Sequence, residues 1–329
     1  MLNVGLLGCG RIGQVHAASL NRMGNARVAA VADAMPEAAQ ALAGSCGTRA
    51  MTAEALIEDA GVDAVVIGTP THTHYDLIHA AARAGKAILC EKPVDLSAER
   101  IRDCMRVVEV TGVPFMTAFN RRFDPNFAAI QARIAAGEIG AVEIVTILSR
   151  DPSPPPPSYI KGSGGIFRDM MIHDLDMARF LLGEEPVSVY AVGAALVDPE
   201  IGAMGDADTA AVTLTTASGQ ICQISNSRRA SYGYDQRIEV HGAKAMLRAD
   251  NMLRDTVEIA GPQGFCRSPA QDFFLERYAM AYVAEMRHFV DCVAKGRAIT
   301  PSLADGLRAQ LLADAADLSW REGRVVRLN

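Results

Sequence analysis

Two short stretches of this sequence place proton-transfer groups at spacings that chemistry can use. The first is Arg168-Asp169-Met170-Met171-Ile172-His173-Asp174-Leu175-Asp176. Read as helix, it puts Asp169, His173 and Asp176 at i, i+4 and i+7 on one face. A carboxylate one turn from a histidine fixes its tautomer and raises its basicity, as a general base and its orienting partner require. The same residues also fit a capped helix start with a hydrogen-bonded histidine, or part of a metal site whose fourth ligand is not evident. The second stretch is Glu91-Lys92-Pro93. Its lysine is either a surface charge or a donor to an oxygen that gains negative charge during a reaction.

A third stretch addresses a phosphorylated cofactor. Gly8-Cys9-Gly10-Arg11-Ile12-Gly13 follows an apolar run and opens a helical one. In such a pattern Gly8 permits the tight turn, Gly10 lets the backbone approach a pyrophosphate, and Gly13 lets helix and strand pack closely. The helix start then offers free N–H groups and a positive dipole end to the phosphates. Asp33 follows the second apolar run, where a carboxylate accepts bonds from ribose hydroxyls and repels a 2′-phosphate. Ala34, Met35 and Pro36 supply no arginine to offset that repulsion, so the expected cofactor is NAD rather than NADP. Thr69-Pro70-Thr71-His72-Thr73-His74 follows another apolar run. No carboxylate or cysteine set accompanies its two histidines, so capping or supporting roles suit them better than metal ligation, and no metal is expected. Cofactor contacts are expected from Gly8, Gly10, Arg11, Ile12, Asp33, Thr69, Pro70, His74, Glu91 and Lys92.

The elements that must carry these groups come in two rhythms. Up to about residue 119, short apolar runs (2–7, 26–32, 64–67, 87–90 and 114–118) alternate with helical segments (12–23, 36–43, 53–59, 73–84 and 98–111). Short runs buried on both faces and separated by helices predict a doubly wound parallel sheet. From about 140 the runs are longer and β-branched, at 141–150, 187–197, 209–217, 220–228, 237–241 and 245–249, which predicts a mainly antiparallel sheet. One helix, 167–182, interrupts them, and helices at 272–295 and 302–320 close the chain. Asp151–Ser158, with four consecutive prolines, is expected to be an extended loop. The expected division is 1–119 for cofactor binding and 120–329 for substrate binding and oligomerisation.

Composition bounds the reading. With 329 residues, 50% of them hydrophobic, the chain buries a sizeable core, which excludes a disordered or collagen-like protein. A net charge of −6 argues against a nucleic-acid partner. No apolar run approaches the roughly 18 residues of a membrane span. The N-terminus carries no signal-peptide pattern, so a cytoplasmic location is expected. Seven cysteines without a CxxC pair are expected to be free, buried thiols of a reducing compartment.

Taken together, the GLLGCGRIG start, TPTHTH, EKP and the D-x-x-x-H helix resemble the Gfo/Idh/MocA family of nicotinamide-dependent oxidoreductases. AFNRRFDPNF (118–127), SRDPSPPP (149–156), SGGIFRDMMIHDLDMARFLLG (163–183) and SNSRRASYGYDQRIEVHG (225–242) extend the resemblance over nearly the whole chain. It implies an N-terminal Rossmann domain and a C-terminal α+β domain with a large open sheet. Members commonly pack those sheets together into dimers or tetramers, which implies a homo-oligomer here, a tetramer ahead of a dimer. The resemblance also implies that Lys92 reaches the reacting hydroxyl, that His173 is the acid/base, and that Asp169 orients His173. Asn120, Arg121, Asp151 and Tyr234, with Lys92, Asp169 and His173, would line a pocket for a cyclic polyol. The implied reaction is NAD-dependent oxidation of myo-inositol, with scyllo-inositol, glucose, another cyclic polyol or NAD-dependent glycoside cleavage as alternatives.

Overall fold

In the computed structural model, which describes residues 1–328, close packing divides the chain into two units. The first comprises Met1–Phe123 together with Met280–Leu311. The second comprises Asp124–Ala279 and the chain from Leu312 on.

In the first unit, six strands form one parallel sheet: β1 Leu2–Leu7, β2 Ala26–Ala32, β3 Arg49–Ala50, β4 Ala64–Ile67, β5 Ala87–Glu91 and β6 Phe115–Ala118. Their order is β3-β2-β1-β4-β5-β6, the doubly wound order whose reversal beside β1 creates a crevice at the carboxyl ends of the strands. Burial explains why these runs read clearly in the sequence: β4 and β6 are buried at every position. The helices between strands stop and start on recognisable residues. Thr52 and Ser97 cap their helices by accepting the N–H groups of Ala55 and Arg100, and Gly47 and Gly112 end theirs with positive φ.

The segment Met280–Leu311 completes this unit. Its helix, Ala279–Lys295, contributes Met286, Phe289 and Val290 to a cluster with Val4, Leu6, Val28, Leu89 and Met116. Packing units and the expected division by role near 119 are thus different cuts: 280–311 packs with 1–123. Helical periodicity identifies an apolar face but not the sheet that it covers.

In the second unit, seven strands form an open sheet in the order β12-β11-β7-β10-β9-β8-β15. These are β7 Val142–Arg150, β8 Pro186–Ala194, β9 Thr209–Thr216, β10 Ile221–Ser227, β11 Asp235–Gly242, β12 Met246–Ala249 and β15 Val326–Arg327. Only β10 and β7 pair in parallel, so the sheet is mainly antiparallel. An exposed hairpin, β13 Glu258–Gly261 and β14 Gly264–Arg267, stands apart from it.

Two expected elements differ. The helix expected at 167–182 is two helices, Gly165–Asp169 and Ile172–Leu182, separated at Met170–Met171. The carbonyl of Ile166 accepts both the Met170 and the Met171 N–H, which closes the first helix before the second begins. The proline-rich loop ends earlier than expected. Pro157 opens a helix, Pro157–Ser163, at the one position where a missing N–H costs nothing. All seven cysteines are free, but Cys46 is half-buried and Cys266 exposed rather than buried. Among the described residues no helix is long and apolar enough to cross a membrane.

Candidate active site

The glycine loop sits where β1 meets the helix Arg11–Leu20. Gly8 has a φ of 101°, and a Cβ there would meet the Gly68 carbonyl oxygen at 2.6 Å. At Gly13 a Cβ would lie 2.0 Å from the Gly8 carbonyl oxygen, so helix and loop touch backbone to backbone. Gly10 differs, because a Cβ there would meet nothing within 4 Å. The space a side chain would fill lies open above a helix start that has no side-chain cap and no acidic residue in its first turn. That is the arrangement a diphosphate occupies. The residues present therefore fit a dinucleotide.

Asp33 follows β2 and binds the same loop. Its Oδ2 accepts the Cys9 N–H at 2.6 Å and its Oδ1 accepts the Met35 N–H at 2.8 Å. The carboxylate thus fixes the glycine turn while its remaining lone pairs stay available to ribose hydroxyls. Cys9 donates its thiol to the Ala32 carbonyl, and burial followed by the charge of Asp33 pushes that thiol up to about 11. It remains a thiol at neutral pH.

Thr69 and Pro70 lie past the end of β4. The hydroxyls of Thr69 and Thr73 are 2.7 Å apart, and Thr73 also donates to the Pro70 carbonyl. His74 is buried, with Nε2 2.8 Å from the Thr69 carbonyl and Nδ1 3.0 Å from the Pro93 carbonyl. Its ring ties the Thr69-Pro70 loop to the loop that carries Lys92. Burial lowers its pKa against the opposing pull of the two carbonyls and of Glu91.

Glu91 ends β5 and Lys92 follows, half-buried, with a cis bond to Pro93. Glu91 Oε1 is 2.8 Å from His16 Nε2, and Glu91 Oε2 accepts the Lys92 backbone N–H at 3.3 Å. Asn120 and Arg121 occupy a short 3-10 turn after β6 and are both buried. The neighbouring Arg122 pairs with Asp305 at 3.0 Å.

The remaining expected residues belong to the second unit, gathered at one edge of its sheet. The parallel register of β7 and β10 brings Arg150 level with Ser227, and the antiparallel register of β11 brings Asp235 level with Arg150. Asp151, Arg228 and Tyr234 therefore follow or precede strand ends at the same edge, with Asp151 N–H bonded to the Ser227 carbonyl at 2.9 Å. Tyr234 is buried and meets Tyr278 edge-on, ring centroids 6.0 Å apart.

Asp169 ends the first of the two short helices and His173 lies in the first turn of the second. Their spacing is thus not that of one continuous helix face. Asp169 Oδ2 pairs with Arg228 Nη2 at 3.1 Å, and its Oδ1 accepts the Tyr159 hydroxyl at 2.9 Å. Burial and the charge of Asp169 push the Tyr159 hydroxyl well above the usual phenol range. Asp176, the i+7 member of the pattern, pairs with Arg179 at 3.4 Å. Asp174 is fully buried and accepts Ser149 and Asn226 at 2.7 and 2.8 Å. That network locks the second helix onto β7 and β10. Arg228 and Tyr159 are the functional candidates that spacing alone did not reveal. Arg228 stood among clustered arginines at 121, 122, 150, 168, 228 and 229 without a partner legible in the sequence.

Residues 2–119 match the model of an oxidoreductase family described as having an NAD-binding Rossmann fold, and residues 127–248 match a GFO/IDH/MocA C-terminal domain. The chain is 57% identical to inositol 2-dehydrogenase of Rhizobium meliloti over 98% of both chains. It superposes on a crystal structure of a myo-inositol dehydrogenase from Corynebacterium glutamicum with a TM-score of 0.97 at 45% identity, covering 100% of this chain and 99% of that one. A scyllo-inositol dehydrogenase from Lactobacillus casei, solved with NAD(H) and scyllo-inositol, gives a TM-score of 0.93 at 27% identity, covering 99% of this chain and 99% of that one.

Proposed function

The chain belongs to the Gfo/Idh/MocA oxidoreductase family, and from that premise we propose that it oxidises myo-inositol to 2-keto-myo-inositol with NAD. The observation that carries this reading is its 57% identity, over 98% of both chains, to an inositol 2-dehydrogenase. The glycine loop, the uncapped helix start and Asp33 would hold NAD, which would supply the acceptor for the hydride that leaves the carbinol carbon.

The protein's own part is proton transfer and charge stabilisation. As the carbon–hydrogen bond breaks, the hydroxyl must lose its proton so that the C–O bond can become a carbonyl. His173, neutral, takes that proton, and Asp169, anchored by Arg228 and Tyr159, orients its ring and offsets the imidazolium charge. Lys92 donates to the same oxygen while it carries developing negative charge. Asn120, Arg121, Asp151 and Tyr234 receive the remaining hydroxyls of the ring. In this reading the chain beyond 119 carries the substrate and the oligomer contacts, with a homotetramer ahead of a dimer, and the enzyme works in the cytoplasm.

The test is initial-rate NADH formation with myo-inositol, scyllo-inositol, glucose and other cyclic polyols. The expected result is sustained NADH release with the highest kcat/KM for myo-inositol. A higher value for scyllo-inositol or glucose would replace the substrate. Absence of free NADH alongside cleavage of a glycoside would replace the reaction.

A further inference from the structure

Behind the Glu91–Lys92 turn lies a polar cluster that the chemistry above does not use. His16, on the helix Arg11–Leu20, is fully buried. Its Nε2 faces Glu91 Oε1 at 2.8 Å, while its Nδ1 has no hydrogen-bond partner. The helix Ala279–Lys295 brings Tyr282 edge-on to the His16 ring, centroids 5.9 Å apart. One turn later on the same face comes Glu285, with 0% exposure and no hydrogen-bond partner for either carboxyl oxygen. Its neighbours along the helix, Met286 and Phe289, pack into the apolar core.

A buried carboxyl group without partners costs stability that a leucine of similar size would not, so its presence calls for a reason. Ionised, Glu285 would set a second negative charge against Glu91 in a poorly polarisable interior. Burial first, and then the charge of Glu91, hold its carboxyl well above the usual carboxylate range. The other titratable groups around the cluster are His16, Tyr282, Lys92, the buried Cys90 thiol of the same strand, and His74, which feels Glu91 from the Thr69 side.

We propose that Glu285 is a positioning residue for Lys92: as a neutral carboxylic acid it leaves Glu91 the single acidic charge of the cluster, and Glu91 keeps its bonds to His16 and to the Lys92 backbone. Loss of the Glu285 proton sets the two carboxylates against each other and releases the turn. The cluster also joins the helix that receives the diphosphate, through His16, to the loop that carries Lys92. The inference rests on Lys92 acting at the substrate hydroxyl.

The experiment compares full-length wild type with E285Q and E285L. Infrared difference spectra of wild type against E285Q at neutral pH should show the carbonyl band of a protonated carboxylic acid, lost in the variant. E285L should lose about tenfold or more in kcat with NADH affinity within about threefold. E285Q, which keeps the volume and a donor, should restore kcat and lack the alkaline decline that wild type shows as Glu285 ionises. No protonated-carboxyl band, or superposable pH profiles of kcat for wild type and E285Q, would overturn the proposal; so would wild-type kcat in E285L. If E285L does not fold, the E285Q spectrum and profile still decide. Failure of wild type to oxidise any polyol would instead count against the proposed reaction, because the infrared band and NADH affinity are read without turnover.

Discussion

Arg228 Nη2 lies 3.1 Å from Asp169 Oδ2, so the carboxylate four residues before His173 is anchored from the end of β10 rather than from its own helix. Both side chains are largely withdrawn from water, at 2% and 11% exposure, and removing one partner strands a charge. Arg228→Met should cost about 3–5 kcal/mol of stability and lower kcat. The double variant Arg228→Met with Asp169→Asn should recover much of the stability and none of the activity. Urea denaturation of Arg228→Met, Asp169→Asn and the double variant, with kcat for each, checks both statements. An additive loss in the double variant would show that the pair is not coupled.

In the proposed mechanism Lys92 donates to an oxygen whose charge exists only as the reaction proceeds. Lys92→Ala should therefore lower kcat by about 10²–10⁴-fold while the dissociation constant for NADH changes by less than about threefold. Turnover and fluorescence titration of NADH separate the two. Retained turnover would remove Lys92 from the chemistry.

The Asp33 carboxylate holds the Cys9 and Met35 N–H groups, and in the proposed cofactor site it serves the ribose as well. Asp33→Ala should weaken NAD binding by about tenfold or more, because charge-assisted hydrogen bonds of roughly 1.5–3 kcal/mol are lost. Asp33→Ser with Ala34→Arg removes the charge that repels a 2′-phosphate and supplies one that attracts it. The ratio of kcat/KM for NAD to that for NADP should fall in this variant. An unchanged ratio would mean that Asp33 does not set cofactor choice.

Two buried thiols of the first unit tie its stability to alkaline pH. Burial pushes Cys9 up to about 11, with Asp33 and Cys46 adding to it, and pushes Cys104 up to about 12, with Asp95 and Asp103 adding to it. Above the ordinary thiol range the unfolded chain has released protons that the native protein still holds. Stability then falls as pH rises toward these values, and is unaffected below that range. Cys9→Ala and Cys104→Ala should each flatten that decline in urea midpoints measured against pH. A decline of unchanged slope in both would assign it to other groups.

How much of this was legible in the sequence depended on burial. Runs such as Ala64–Ile67, buried at every position, announce themselves because apolar composition is what such a strand needs. Arg49–Ala50 and the hairpin Glu258–Arg267 are exposed, so no alternation marks them. The glycine loop was readable because sterics at Gly8 and Gly13 admit no other residue. The break at Met170–Met171 was not, since neither proline nor glycine stands there and only the hydrogen bonds at Ile166 reveal it. Arg228, Tyr159 and Glu285 acquire their proposed roles from groups on other elements, which spacing cannot disclose.

The late return of Met280–Leu311 to the first unit has a consequence for how the molecule comes into being. A ribosome releases all six strands of the parallel sheet long before it releases Met286, Phe289 and Val290, which seat against them. The nascent dinucleotide-binding half must wait, with an apolar face uncovered, while the whole stretch from Asp124 to Ala279 is made. A gene cut after residue 119 would encode every strand of that sheet and still yield an incomplete, aggregation-prone polypeptide.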